Sequence, residues 1–309
     1  MHRLSKLASS NTPFLFYTNF DASITEVFTM DQLKNEDIDF SMEQTTYLKH
    51  PHLLTKFPLD FKNYQKALKK IIEKIKSGDT YLLNYTCSTP IQTELSLKEI
   101  FLYANATFKL RVKDEFVCFS PERFIKIEDN TIFTYPMKGT IDASIDNAQA
   151  KILANAKEMA EHIMVVDLLR NDLSMVSEDV RVSKFRYIDT INAGDKQLLQ
   201  VSSEIQGKLQ DNWKEKLGDI LKTLLPAGSI TGTPKKRTVE IIKELETHER
   251  GFFTGVFGYF DGETFDSAVM IRFIQKDKDG LIYKSGGGIT LDSSPEAEYQ
   301  EMKDKIYIP

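Results

Sequence analysis

Three apolar runs near the end of the chain, 257–260, 268–274 and 281–284, are separated by the pairs Asp261-Gly262 and Asp279-Gly280. Asp-Gly between two strand-like runs is a hairpin signal, because both central turn positions need a positive φ. These runs are therefore expected to lie antiparallel. Further strand-like runs fall at 81–86, 116–119, 124–127, 131–135 and 201–206. Helical patterns fall between them without a regular strand-helix-strand period. A parallel sheet would need a helical crossover after nearly every strand, so the pattern predicts an α+β fold of antiparallel sheets packed with helices. The 309 residues suit one large domain or two ordinary ones. No linker or repeat interrupts them, so one catalytic domain over 1–309 is expected, with a short N-terminal part (1–60) and a core (61–309).

The helices carry their own signals. Residues 61–77 place Tyr64, Leu68, Ile71, Ile72 and Ile75 on one face and lysines on the other, and Ser77-Gly78-Asp79 stops them. Residues 147–170 read as one long helix, apolar nearly all round from Met159 to Leu169 and so expected to be buried. Residues 214–224 and 236–245 read as two more, the second opened by Pro234 at an N1-like position. Ser294-Pro295 begins the last helix, with Ser as N-cap and Pro at N1. The short run Phe14-Leu15-Phe16-Tyr17 looks like a strand.

Forty Lys and Arg against 45 Asp and Glu give a net charge of -5. That balance argues against a nucleic-acid partner. Cys87 and Cys118 have no metal-ligand spacing, which fits a reducing compartment. No run reaches the roughly 18 apolar residues of a membrane span, and 14–17 is too short for a signal peptide core. A cytoplasmic protein with no membrane partner is expected.

Several constellations can carry chemistry. Glu158 and Glu161 share a helix face, as do Glu298 and Glu301. Each pair is either ordinary helix charge or half of a hard-cation site; Mg²⁺ takes oxygen ligands from one or two carboxylates, water and substrate. Lys305 follows Glu301 by four residues, the order that favours an ion pair. The loop Pro226-Ala227-Gly228-Ser229-Ile230-Thr231-Gly232-Thr233-Pro234-Lys235 leads into a helix and lacks the Gly-Lys-Ser/Thr ending of a phosphate loop. It is a plain loop or an anion-binding helix start. Gly286-Gly287-Gly288 is either a flexible hairpin end or a stretch that lets backbone approach a ligand. Arg272, among apolar residues in a strand-like run, either faces outward or binds a carboxylate. Lys138, before Gly139, is surface charge or, if buried, a nucleophile or base.

In order and wording these segments resemble the chorismate-utilising enzymes, which include component I of anthranilate synthase and of aminodeoxychorismate synthase, isochorismate synthase and salicylate synthase. The matching pieces are Ser77-Gly78-Asp79-Thr80-Tyr81, Ser120-Pro121-Glu122-Arg123-Phe124, the helix motif 157–172, the loop 227–235, 255–260, Ile271-Arg272 and 286–301. The resemblance implies antiparallel sheets and helices around a central chorismate-binding cleft, with Mg²⁺ as cofactor. It implies Glu161 and Glu301 as metal ligands with Glu158 and Glu298 close by, and Glu122 as the general acid for the departing C4 hydroxyl. It implies substrate binding by Thr140, Tyr259, Arg272, Gly286, Gly287, Gly288 and Lys305.

Within that family, Met137-Lys138-Gly139-Thr140 is similar to the motif of the aminodeoxychorismate synthase branch, where the lysine is thought to add to the ring so that ammonia can enter at C4. Leu82 stands where isochorismate and salicylate synthases place a water-activating lysine, and where the amine-transferring branch commonly has Gln. Gln200 stands where the family often has His. The implied activity is Mg²⁺-dependent amination of chorismate to 4-amino-4-deoxychorismate, on the route to 4-aminobenzoate and folate. The alternatives are component I of anthranilate synthase or an inactive chorismate-binding protein. Neither Cys87 nor Cys118 sits on a Gly-rich nucleophile turn, so glutamine hydrolysis is not expected here. Ammonia would come free or from a glutamine amidotransferase subunit.

Overall fold

The computed structural model describes residues 1–44, 52–193 and 196–309. Among these residues two antiparallel sheets dominate, one of nine strands and one of eight. The first runs in the order Met137–Asp142, Lys196–Lys208, Thr131–Thr134, Arg123–Glu128, Phe265–Val269, Val256–Phe260, Phe14–Thr18, Thr25–Thr29, and Glu178–Ala193 also pairs with Lys196–Lys208. The second is centred on Leu82–Gln92, Gly280–Ile289, Phe273–Asp277 and Phe116–Ser120.

Strict alternation explains how the sheets stack. In Phe14–Thr18 all five residues are buried. Phe14 and Phe16 point into a core shared with helices, while Leu15 and Tyr17 point into a core shared with the second sheet. Phe116–Ser120 does the same from the other side: Phe116 and Cys118 meet the first sheet, and Val117 and Phe119 meet helices. A period of two on a strand buried on both faces produces this division. The layers are thus helices, sheet, sheet, helices.

The helix Phe61–Lys76 forms as its pattern predicts, with Tyr64, Leu68, Ile71 and Ile75 buried and Asp60 accepting from Asn63 N at its start. Each such burial contributes about 1.5–3 kcal/mol. Ser294 caps Pro295–Asp304 through Ala297 N, with Pro295 in the first turn. Pro234 is the N-cap of Lys235–Leu245 rather than its first helical residue. No described helix is long and apolar enough to cross a membrane.

Three expectations need correction. The helix at 147–170 is two helices, Ala148–Ala154 and Ala156–Ser174, broken at Asn155, whose side chain caps the second at Glu158 N. The second is not buried all round: Met159 and Ile163 are 38% and 48% exposed. The run 268–274 is split between Phe265–Val269 and Phe273–Asp277, which belong to different sheets. Gly286-Gly287-Gly288 is no hairpin end. It lies inside Gly280–Ile289, opposite Thr86, Tyr85 and Asn84.

Candidate active site

The chain crosses between the two sheets at two adjacent places. One crossing, Pro121-Glu122, follows Phe116–Ser120. The other, Met270-Ile271-Arg272, follows Phe265–Val269. Hydrogen bonds bring both to the sheet junction: Val269 N donates to Glu122 O (3.1 Å) and Phe119 N donates to Arg272 O (3.2 Å). Arg272 there holds a left-handed backbone (φ 51°), a conformation that costs about 1–3 kcal/mol in a residue with a side chain. The junction walls a cavity of about 270 Å³ lined by Glu122, Lys138, Arg272, Gly286, Glu301 and Lys305, among others. It opens into a cleft of about 1300 Å³ that shares Thr140, Arg272, Glu301 and Lys305.

The two carboxylate pairs sit on different helices; of the four, Glu301 lines this cavity and Glu161 neighbours it through Lys138. On Ala156–Ser174, Glu161 Oε2 lies 3.6 Å from Lys138 Nζ. Glu158 Oε2 lies 3.3 Å from where a Cβ on Gly139 would stand. On Pro295–Asp304, Glu301 Oε1 is 2.6 Å from Lys305 Nζ, and Glu298 Oε1 accepts from Ser293 Oγ at 2.7 Å. The glycine strand lies between the two helices. A Cβ on Gly287 would stand 3.5 Å from both Glu298 Oε2 and Glu301 Oε1, and one on Gly288 would stand 3.3 Å from Lys138 Nζ and 3.2 Å from Leu82 Cδ1. At Gly286 a Cβ would fall 2.2 Å from Tyr85 O, so no larger residue fits there. Lys305 Nζ also donates to Gly286 O (2.9 Å).

These carboxylate oxygens are the donors that a hard divalent cation takes. Among the described residues no three His, Cys, Asp or Glu side chains converge closely enough to hold a metal alone. Mg²⁺ is a cation that can be held by one or two protein carboxylates, with water and substrate oxygens completing its shell.

Electrostatics divide the cavity wall. Burial pushes the Glu122 carboxyl above the usual carboxylate range, although the Ser229 hydrogen bond and the cations Lys138, Arg272 and Lys305 pull the other way. Burial draws the Lys305 ammonium down, with Glu301 opposing. Arg272 has Tyr307 as its side-chain neighbour, with Nε 3.5 Å from the hydroxyl and the guanidinium over the ring at 5.5 Å. No carboxylate lies within ion-pair distance of it among the described residues. A guanidinium with no carboxylate at ion-pair distance can take one from a ligand, although Glu122 on the same wall also acts on its charge.

Tyr259 is not brought to this cavity. In Val256–Phe260 it pairs with Asp266 and Leu15, and its ring packs near Phe40 at 5.4 Å. Phe253 lines the cavity instead. Sequence reasoning also missed Ser229, whose hydroxyl donates to Glu122 Oε1. The loop that carries it was visible as a motif, but its contact with Glu122 was not.

A buried ion pair stiffens the floor. Arg250 and Glu246 are each 3% exposed and 2.7 Å apart. Arg250 also donates to Ile230 O (2.8 Å) and Asn84 O (2.7 Å). Removing one partner of such a pair costs about 3–5 kcal/mol.

The family model for chorismate binding enzyme matches residues 15–309. This chain belongs to that family. It is 47% identical over 303 residues to an uncharacterized PabA-like protein of Haemophilus influenzae, covering 96% of this chain and 92% of that protein. It is 33% identical over 265 residues to aminodeoxychorismate synthase component 1 of Bacillus subtilis, covering 81% of this chain and 55% of that protein. The chain therefore spans about half the length of that named synthase. Its fold matches the crystal structure of a putative 2,3-dihydroxybenzoate-specific isochorismate synthase, DhbC, from Bacillus anthracis, with a TM-score of 0.72 at 21% identity, covering 98% of this chain and 84% of that one. The α+β class expected from the hairpin pattern is the fold of this chorismate-binding enzyme.

Proposed function

We propose that this chorismate-utilising enzyme aminates its substrate at C4 with ammonia, giving 4-amino-4-deoxychorismate and water. The observation that carries the reading is the presence of Lys138, Glu122 and Arg272 on the wall of one cavity. In this reading Arg272 binds a substrate carboxylate. The Lys138 amine adds to the ring as the C4–O bond breaks, and Glu122 gives its proton to the departing oxygen, which leaves as water. Ammonia then attacks C4, the Lys138 nitrogen departs, and the Glu122 carboxylate takes the proton that ammonia releases. The raised affinity of Glu122 for its proton suits a general acid near neutral pH. Glu161 and Glu301, with Glu158 and Glu298 beside them, would hold Mg²⁺, which would neutralise charge on the substrate oxygens.

Ammonia is supplied by a separate amidotransferase subunit or from solution. Cys87 and Cys118 are both buried, and burial pushes the Cys87 thiol up to about 12, so neither is an activated nucleophile. The choice of branch rests on Lys138 and not on overall identity, because named aminodeoxychorismate and anthranilate synthase components match the chain to similar extents. The test is incubation with chorismate, Mg²⁺ and ammonium salts, with products identified by mass and fluorescence. A C4-aminated product that retains the enolpyruvyl group is expected. Anthranilate with released pyruvate would assign the other amine-transferring branch, and no turnover would make the chain a binding protein.

A further inference from the structure

The turn Gly228–Ile230 is held from several sides. Arg250 donates to Ile230 O, Thr231 Oγ1 donates to Ala227 O (2.9 Å), and a Cβ on Gly228 would lie 2.7 Å from Asp172 Oδ2. Gly232 and Thr233, just beyond, pair with Leu83 and Leu82. The one side chain this turn sends to the cavity as a hydrogen-bond donor is Ser229, and its acceptor is Glu122 Oε1. The carboxyl's own backbone is fixed too, since Glu122 N donates to Ser120 Oγ (3.0 Å) and Glu122 O accepts from Val269 N.

A neutral carboxylic acid carries its proton on one of two oxygens, and a rotating carboxyl presents it only part of the time. An oxygen that accepts a hydrogen bond from a fixed hydroxyl is poorly placed to carry the proton itself. We propose that Ser229 is a positioning residue for the acid: by donating to Oε1 of Glu122 it stops the carboxyl turning and leaves the transferable proton on Oε2. This rests on the reading of Glu122 as the general acid. Ser229 does not act on the substrate; its effect runs through the carboxyl.

Charged groups face Glu122 from three other elements: Lys138 on Met137–Asp142, Arg272 at the sheet crossing and Lys305 at the end of the last helix. Ser229 makes no side-chain hydrogen bond to any of the three, its partner being Glu122. The Ser229 hydrogen bond lowers the proton affinity of Glu122, so its loss raises that affinity and moves the alkaline limb of activity to higher pH.

The experiment measures kcat and KM for chorismate from pH 6 to 10 (an assay range of about that width, chosen to bracket both limbs) in the parent, Ser229→Ala, Ser229→Thr and Glu122→Gln, with saturating ammonium and Mg²⁺. Ser229→Ala is expected to lose about tenfold or more in kcat, part of the 10²–10⁴-fold that a positioned acid supplies. Its KM should change little, its alkaline limb should move up, and Ser229→Thr, which keeps the hydroxyl, should recover most of the loss. An unmoved limb, or no recovery by Ser229→Thr, would overturn the positioning role while leaving Glu122 as the acid. Full activity in Glu122→Gln would instead remove the acid assignment, and this inference with it.

Discussion

Lys138 Nζ lies 3.6 Å from Glu161 Oε2, across the cavity end where Gly288 brings the glycine strand close to the amine. The proposed nucleophile and a proposed metal ligand are therefore immediate neighbours. On the other side of that strand Lys305 is paired with Glu301. Each carboxylate faces a lysine that a divalent cation would compete with, so charge on both sides should set the metal requirement.

Glu161→Gln and Glu301→Gln should each raise the Mg²⁺ concentration needed for half-maximal turnover by about tenfold or more, since even indirect supports of a metal site are worth 10–100-fold. Folding stability should change by about 1 kcal/mol or less. Titrating Mg²⁺ against initial rate, with urea unfolding alongside, checks this. An unchanged Mg²⁺ requirement in both variants would dismiss the metal assignment.

Arg272 lacks a carboxylate partner of its own, so its charge is available to the substrate. Losing a charge-assisted hydrogen bond of about 1.5–3 kcal/mol should weaken chorismate binding by about 10- to 100-fold in Arg272→Ala. Arg272→Lys should recover only part of that, because a point charge cannot reproduce the planar fork. Steady-state KM for both variants decides it, and a KM like the parent's would place the substrate carboxylate elsewhere.

Much of the scaffold was legible because it is written locally. The lysine-backed face of 61–76 and Ser294 before Pro295 each determine a neighbouring few residues, and each formed as expected. Both Asp-Gly hairpins formed, but not as two-residue turns on those pairs: Phe260 pairs with Phe265 across the loop 261–264, Gly280 already pairs with Asp277, and only the glycines of the two pairs take a positive φ. What failed was decided at a distance. Nothing in the run 268–274 tells that it leaves one sheet and enters another, because the break depends on Arg272 O being taken by Phe119 N, far away in sequence. The strand Glu178–Ala193 passed unnoticed because charged residues interrupt its alternation and much of it stays solvent-exposed on one face. Tyr259 was drawn from a resemblance, and its strand position turns it toward Phe40. The carboxylate pairs were visible as spacing, but that Glu298 and Glu301 lie against Gly287 while Glu161 meets the Lys138 that neighbours Gly288 became visible only in three dimensions.

Acid should destabilise the fold through His248. Burial lowers its pKa from the ordinary 6.5 to about 4; Glu246 opposes this, and Lys284 and Arg250 add to it. Its Nε2 sits 3.1 Å from Thr86 Oγ1 beneath the glycine strand. The unfolded chain binds this proton more readily, so the stability is present above pH 6.5 and is lost as pH falls toward 4. The loss is at most about 3 kcal/mol. Urea midpoints at pH 7.5 and 5 (conditions roughly one unit or more either side of a free histidine) should fall further in the parent than in His248→Gln. Equal losses would clear His248 of the effect.

Nitrogen should come from outside the chain. Purified protein should turn over with ammonium salts and not with glutamine, and adding a glutamine amidotransferase subunit should restore glutamine use. Glutamine-dependent product from a preparation free of any amidotransferase, measured by mass, would contradict the argument from Cys87 and Cys118.

The central claim is that Lys138 directs nitrogen to C4, and locating ¹⁵N in the product by NMR tests it most directly. With labelled ammonium, chorismate and Mg²⁺, the parent should place the label at C4. Lys138→Ala should still bind chorismate but lose most of that product. Label at C2 in the parent, or undiminished C4 product from Lys138→Ala, would contradict the account.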